Sequence, residues 1–388
     1  MSFRSLGFEQ IAVTIVDEIA NLLVGPAESL ERACPERGIV LPRDTYAHEN
    51  VQTEWWYYSG HLFAEDRPFG FELVFFKRRT DQDRFGRILP MRLLGQVNYY
   101  AHFAVTDVAD GKFRYSHRRS IGAHNAGASV DRHKVWLGDW SARELHSQHL
   151  LFAKMNSTSI NLALRPVKPL VLQGAGGISY KDEGEASYYL SYSRMLAEGE
   201  LTVAGNRYDV TGLGWMDHEF GSWTMRAKIQ GWDWFAIQLD DGQEIMAFHI
   251  RDSSGQPTRF SAAALIDSQG QIRQFGHDAF RISILGRWKS PQTGTIYPSG
   301  WSLSIPAVGA ELEIIPLLRC QELDTRGSTM IIYWEGACSV RGKLATGSVR
   351  GRSYVELVGY DRSHEALTIF DYLLGEIRFR SLGLHLMG

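Results

Sequence analysis

Between residues 214 and 235 the chain crowds acids, a histidine and indole rings together. Gly214-Trp215-Met216-Asp217-His218-Glu219-Phe220-Gly221 is followed by Gly231-Trp232-Asp233-Trp234-Phe235. A carboxyl group among large apolar rings is costly to ionise, so it can stay protonated near neutral pH, ready to donate. Protonating an unactivated alkene needs such an acid. The resulting carbocation needs a water-poor, electron-rich lining, which Trp and Tyr faces supply. Asp217, His218, Glu219 and Asp233 with Trp215, Trp223, Trp232 and Trp234 offer both parts, and Glu54 beside Trp55, Trp56 and Tyr57 repeats the theme. Plain packing accounts for the same residues. Alternation puts Trp232 and Trp234 on one strand face and Asp233 and Phe235 on the other, Asp217 can cap a turn, and Glu219 can pair with Arg226 or Lys228. Residue types alone leave reaction site and aromatic packing both open.

Other chemistry is easier to set aside. His218-Glu219-Phe220-Gly221 is not HExxH, and His48, His61, His102 and His249 fall on separate predicted strands without ligand spacing, so no metal site is expected. There is no GxSxG elbow, Walker loop or CxxC, and Gly174-Ala175-Gly176-Gly177 lacks nucleotide-binding spacing, so no cofactor is expected. Phe76-Lys77-Arg78-Arg79 reads as a solvated strand end. A net charge of -3 gives no global electrostatic case for nucleic acid or membrane. Cys34, Cys320 and Cys338 are too few and too scattered for a disulfide framework and are expected to be reduced. No signal peptide or bilayer-length apolar run is evident, which makes the cytoplasm the default compartment.

The elements that position the acids are mostly strands. With 388 residues, 44% of them apolar and 22% charged, the chain is long enough for two domains. Residues 3 to 32 read as helical, with Phe8, Ile11, Ile15, Ile19, Leu22 and Leu23 at spacings of three and four and a break at Gly25-Pro26. The expected role is a helix packed on the main body; its acidic polar face suits a membrane surface poorly, although 3–24 leaves room for a peripheral contact. From Tyr46 the texture is β. Glu54 to Leu62 and Phe69 to Phe76 form a predicted hairpin, followed by strands at Tyr99–Asp107, Trp136–Trp140, Ser159–Leu164, Ser187–Ser193 and Glu200–Val203. Beyond the central motif, Trp234–Leu239 and Glu244–Ile250 flank the hairpin signal Asp240-Asp241-Gly242. Further strands run to Gly359, and Ala366–Gly388 reads as a short helix or strand with an apolar tail.

These same residues resemble the hydroxyneurosporene synthase-like family, which groups carotenoid 1,2-hydratases with AttH-type lipocalin-like proteins. The resemblance is carried by Thr53–Leu62, Gly70–Phe76 and His102–Asp107, by Gly214–Gly221 against a GWMDHEWG motif, and by Gly231–Gly242 against GWDWFxxQLDDG. Tyr297–Trp301 and Tyr333–Ala337 resemble signatures of the family's second domain. The match runs from about Tyr46 to Tyr360 and is nearer to the AttH branch than to the hydratases proper. It implies an all-β fold of two consecutive lipocalin-like barrels or sandwiches with a helical N-terminal extension. The implied layout is 1–45 extension, 46–228 first β domain, 229–364 second β domain and 365–388 tail. Phe220 departs from the family's Trp, which removes an indole donor but keeps a ring.

The expected function is an enzyme acting on a long apolar isoprenoid or polyene by acid-catalysed hydration or cyclisation, in a pocket at the junction of the two barrels. Asp217 would donate the proton with Glu219 as the alternative, and His218 would orient or reprotonate it. Glu54, Trp55, Tyr57, Trp215, Trp232 and Trp234 would line the substrate. Two alternatives stand beside it. A pericyclase would hold a flexible chain in a reactive conformer with no indispensable acid, and a lipocalin-like carrier would bind an apolar ligand without chemistry. In each case the partner is an apolar small molecule.

Overall fold

The computed structural model describes residues 3–85, 88–223 and 229–361. Nine strands matter for the site. They are β1 (Thr53–Ala64), β2 (Arg67–Arg79), β3 (Val97–Asp107), β4 (Glu185–Val203), β5 (Asn206–Gly221), β6 (Ile229–Leu239), β7 (Glu244–Asp252), β8 (Ile332–Leu344) and β9 (Gly347–Val358). The first five lie side by side in the order β3-β2-β1-β5-β4 within a curled 13-stranded sheet, and the last four in the order β7-β6-β9-β8 within a 10-stranded one. The fold is thus all-β, in two large curled sheets.

Strand alternation sorts the side chains into three apolar layers. Trp56, Tyr58, Leu62 and Met216 fill the inside of the first sheet, and Phe235, Ile237, Trp334 and Leu357 the inside of the second. Their alternates, Tyr57, Val74, Tyr189, Trp215, Trp234, Ala337 and Tyr354, meet in a third layer, the seam between the sheets. Gly60 permits the close approach of β1 and β5, because a Cβ there would lie 2.2 Å from the Leu213 carbonyl and 2.8 Å from the Phe71 ring.

Several local expectations change. The long strand β4 replaces two predicted strands, with its register against β5 shifting between Tyr192 and Met195. Trp136–Trp140 is the turn between two strands (Lys134–Leu137 and Trp140–Leu145), with Gly138 at φ +64°. Helix α1 (Phe3–Val24) stops at the Gly25-Pro26 break. It docks on the body through the buried Ala20 and through polar groups, Asp17 on Arg84 at 2.6 Å and Asn21 on Arg92 at 2.8 Å, while Ile15, Ile19, Leu22 and Leu23 remain exposed. Among the described residues no helix is long and apolar enough to cross a membrane. The three cysteines are unpaired. The Ala366–Gly388 reading lies outside the described residues.

Candidate functional site in the seam between the sheets

Register explains which predicted residues meet. On the first sheet Ser191, Asp217, Tyr57, Val74 and His102 form one cross-strand row, and Tyr189, Glu219 and Trp55 the next. On the second sheet Trp234, Glu356 and Glu335 form the facing row. The rows join through Trp234 Nε1 donating to the Tyr189 hydroxyl (3.0 Å) and the Tyr57 hydroxyl donating to Glu335. Edge-to-face rings close the wall: Tyr57 on Trp234 at 5.1 Å and Trp215 on Trp234 at 6.2 Å. Trp55 sits edge-on to Trp223 at 5.5 Å, and Trp232 binds Glu356 through its indole N–H at 2.9 Å.

Asp217 is fully buried and surrounded by donors. Trp215 Nε1 (2.7 Å) and Ser191 Oγ (2.6 Å) donate to Oδ1, and the Tyr189 hydroxyl (2.5 Å) donates to Oδ2. An indole N–H can only donate, and Tyr189, already accepting from Trp234, has its own proton free for Asp217. Burial pushes the Asp217 carboxyl up to about 7, while these donors pull the other way by favouring the anion. The residue proposed from sequence as proton donor is therefore held as an acceptor. Glu219 is in the same seam, bound by Lys181 at 2.6 Å and by Ser187 Oγ; Arg226 and Lys228, the partners expected from sequence, lie outside the described residues.

His218 and Glu54 are not in the seam. Alternation turns both to the inner face of the first sheet, where Glu54 Oε1 contacts His218 Nε2 at 2.9 Å and His48 Nδ1 at 2.8 Å. His48 Nε2 meets Asp44 at 3.1 Å, Asp44 takes a fork from Arg37, and Lys77 Nζ reaches Glu54 Oε2 at 3.2 Å. Against the push of burial, Lys77, His218 and His48 hold Glu54 far below the usual carboxylate range. His48 is raised by Asp44 and Glu54 although burial opposes it. His48, Glu54 and His218 bring three ligand-type atoms within 4.8 Å, a convergence that sequence spacing did not show. Lys77 pairs with Glu54 and Arg37 with Asp44, so the set fits an ion-pair network better than a metal centre. Lys77 and Arg79 are correspondingly buried, not a solvated strand end; Arg79 pairs with Asp81 at 2.8 Å. Phe220 stacks on His48 at 3.6 Å, a place where a ring suffices and no indole donor is used. Asp233 faces the inside of the second sheet, paired with Arg251 at 3.0 Å.

Three seam acids were missed by sequence reasoning: Glu72, Glu335 and Glu356. Glu72 and Glu335 are fully buried and Glu356 partly so, and burial raises Glu72 to about 8, Glu356 to about 7 and Glu335 well above its ordinary value. Their signal was an acid inside an apolar strand run, as in Gly70-Phe71-Glu72-Leu73-Val74. Glu335 and Glu356 are direct cross-strand partners, an arrangement that two charges would disfavour.

Two curled sheets with an acid-bearing aromatic seam define a class of two-lobed, lipocalin-like β proteins. Within that class the chain belongs to the AttH-like family, whose pattern matches residues 32–360. A crystal structure of a Nitrosomonas europaea protein described as an AttH is 30% identical, with a TM-score of 0.76, covering 86% of this chain and all (100%) of the other. Kievitone hydratase from Nectria haematococca is 14% identical with a TM-score of 0.64, covering 86% of this chain and 97% of its own, a likeness of fold. No curated protein sequence matches the chain.

Proposed function

We propose that the protein is a hydratase-like enzyme that adds water across a double bond of a long apolar isoprenoid or polyene in the seam between its two β units, 46–228 and 229–364. The observation that carries this reading is the cluster of seam carboxyl groups, Glu72, Glu335 and Glu356, each raised by burial and set against indole and phenol rings, with Asp217 held among donors beside them. Neutral acids supply a proton without placing charge in an apolar seam. The faces of Trp215, Trp234 and Tyr57 then shield the carbocation, and the Asp217 carboxylate stabilises it electrostatically. The name of the structural neighbour kievitone hydratase agrees with this reaction type. The cytoplasm remains the proposed compartment.

The test is incubation of the purified protein with squalene and with lycopene in detergent micelles and oxygen-18 water, followed by mass spectrometry. The expected product carries one added water with the label in its hydroxyl. Asp217→Asn should lower the rate by about a hundredfold or more, the usual scale for a lost acid–base or charge-stabilising group. Recovery of both polyenes unmodified overturns the hydration reading, and bound but unchanged polyene identifies a carrier.

A further inference from the structure

At a cross-strand row next to that of Asp217, three buried polar atoms make no hydrogen bond among the described residues: Ser59 Oγ, Glu72 Oε2 and the Tyr354 hydroxyl. Ser59 and Glu72 are direct cross-strand partners on β1 and β2, with side chains on the same face. Tyr354 comes from β9 on the opposite sheet. Its ring lies 6.3 Å from that of His61, two residues along β1 from Ser59, and its hydroxyl lies beside the Thr106 side chain and feels the charges of Glu335 and Glu72. Three unsatisfied groups at one buried place are costly unless something polar fills it, roughly 1–3 kcal/mol each. A water molecule meets that need, since it accepts from hydroxyls and donates to a carboxyl oxygen.

The flanking geometry is reciprocal. Glu72 of the first sheet is approached by Tyr333 of the second at 3.4 Å, while Glu335 of the second accepts from Tyr57 of the first. The two glutamates stand two residues from Gly70 and Ala337 respectively, and these abut so closely that a Cβ on Gly70 would lie 2.6 Å from that of Ala337. Glu335 has a committed donor, which suits an anion. Glu72 has a free oxygen, which suits a proton to be given away. Burial keeps the two carboxyls from ionising together, with repulsion from Glu356 added on Glu72 and repulsion from Glu72 and Glu356 added on Glu335.

We infer that Glu72 and Glu335, one from each sheet, are the acid–base pair of the site, and that Ser59 and Tyr354 hold the water they act on. This rests on the hydratase reading. Glu72 gives its carboxyl proton to one alkene carbon, whose new C–H bond takes the π pair and leaves the neighbouring carbon cationic. The held water adds through an oxygen lone pair, forming the C–O bond, and releases one proton to the Glu335 carboxylate. The net change is H and OH across the double bond. Return of the proton from Glu335 to Glu72 resets the pair. Asp217 then acts as a fixed anion beside the cation, not as the donor.

Infrared spectra of the full-length protein, Glu72→Gln, Glu335→Gln and Asp217→Asn at neutral pH in light and heavy water decide the assignment. The expected result is a deuterium-sensitive C=O stretch of a neutral carboxylic acid that loses intensity in Glu72→Gln or Glu335→Gln and keeps it in Asp217→Asn. Loss in Asp217→Asn with retention in both glutamine variants, or no such band, overturns it. Should a glutamine variant misfold by near-UV circular dichroism, Ser59→Ala and Tyr354→Phe report instead. Each should shift the band by removing a hydroxyl from the held water, and an unmoved band counts against the proposal. Where the wild type hydrates squalene or lycopene, Glu72→Gln should cut kcat at least a hundredfold with KM within threefold, and an unchanged kcat overturns the pair. Where it hydrates neither, the hydratase reading fails while the spectra still decide whether the pair shares a proton.

Discussion

Replacing Glu356 by Gln should stabilise the protein, and only above acidic pH. Glu356 is partly buried and raised by desolvation from 4.5 to about 7, with the Trp232 indole donating to Oε2 at 2.9 Å. Below the unfolded value both states are protonated, and the contribution to stability is complete. As pH rises the unfolded chain ionises first while the folded chain keeps its proton, so stability falls by about 1.4 kcal/mol per pH unit until the folded group ionises near 7. Between pH 5 and pH 8 the loss is roughly 2–3 kcal/mol. A glutamine side chain has the same shape, can still accept from Trp232 and carries no charge at any of these pH values. Urea unfolding followed by tryptophan fluorescence should therefore show nearly equal midpoints for wild type and Glu356→Gln at pH 5. At pH 8 the variant should be more stable by that amount. Midpoints that run parallel from pH 5 to pH 8 would show that Glu356 ionises as freely in the folded chain as in the unfolded one. The reasoning that burial keeps this seam carboxyl protonated would then be refuted.

Two further substitutions test the buried ion pairs. Glu54→Gln strands Lys77 and the charged form of His48 inside the first sheet and should lower stability by about 3–5 kcal/mol in urea unfolding, whereas a loss below about 1 kcal/mol would mean the network carries no charge. Lys168→Met removes the ammonium that contacts both Glu244 oxygens, at 2.9 and 2.7 Å, and the Asp267 carbonyl at 2.7 Å. It should cost about 3 kcal/mol and separate unfolding of the two sheets in calorimetry, and a single unchanged transition would argue against a tether.

Strand positions, the Asp240-Asp241-Gly242 hairpin and the meeting of Trp215, Asp217, Glu219 and Trp234 were legible because alternation and turn chemistry act locally. The faces were harder to read. His218 stands between Asp217 and Glu219, and once residues 206–221 are one continuous strand it must point the other way. Treating the motif as a junction hid that. Glu54 was read with its aromatic neighbours, but Trp55 and Tyr57 face the seam while Glu54 faces His48. Glu72, Glu335 and Glu356 were missed because their company comes from strands hundreds of residues apart, as with Tyr57 and Glu335 at a separation of 278. Lys77 and Arg79 looked solvated for a more local reason, since their acids, Glu54 and Asp81, lie outside β2. The apolar stripe of α1 misled in the opposite sense, because helical periodicity does not say which side docks.

The clamp on Glu244 has a consequence for how such proteins diversify. Lys168 and Arg194 come from the first half of the chain, Glu244 from the second, and Gln238 reaches back to the carbonyls of Ser193 at 2.8 Å and Gly214 at 2.9 Å. Each half therefore ends in buried polar groups that only its own counterpart satisfies. The two β units are not interchangeable cassettes: a chimera joining the first half of one relative to the second half of another inherits unpaired charges unless Lys168, Arg194, Gln238 and Glu244 travel together. The seam wall adds ties of the same kind, Trp234 to Tyr189 and Tyr57 to Glu335, so these pairs must travel with the clamp as well.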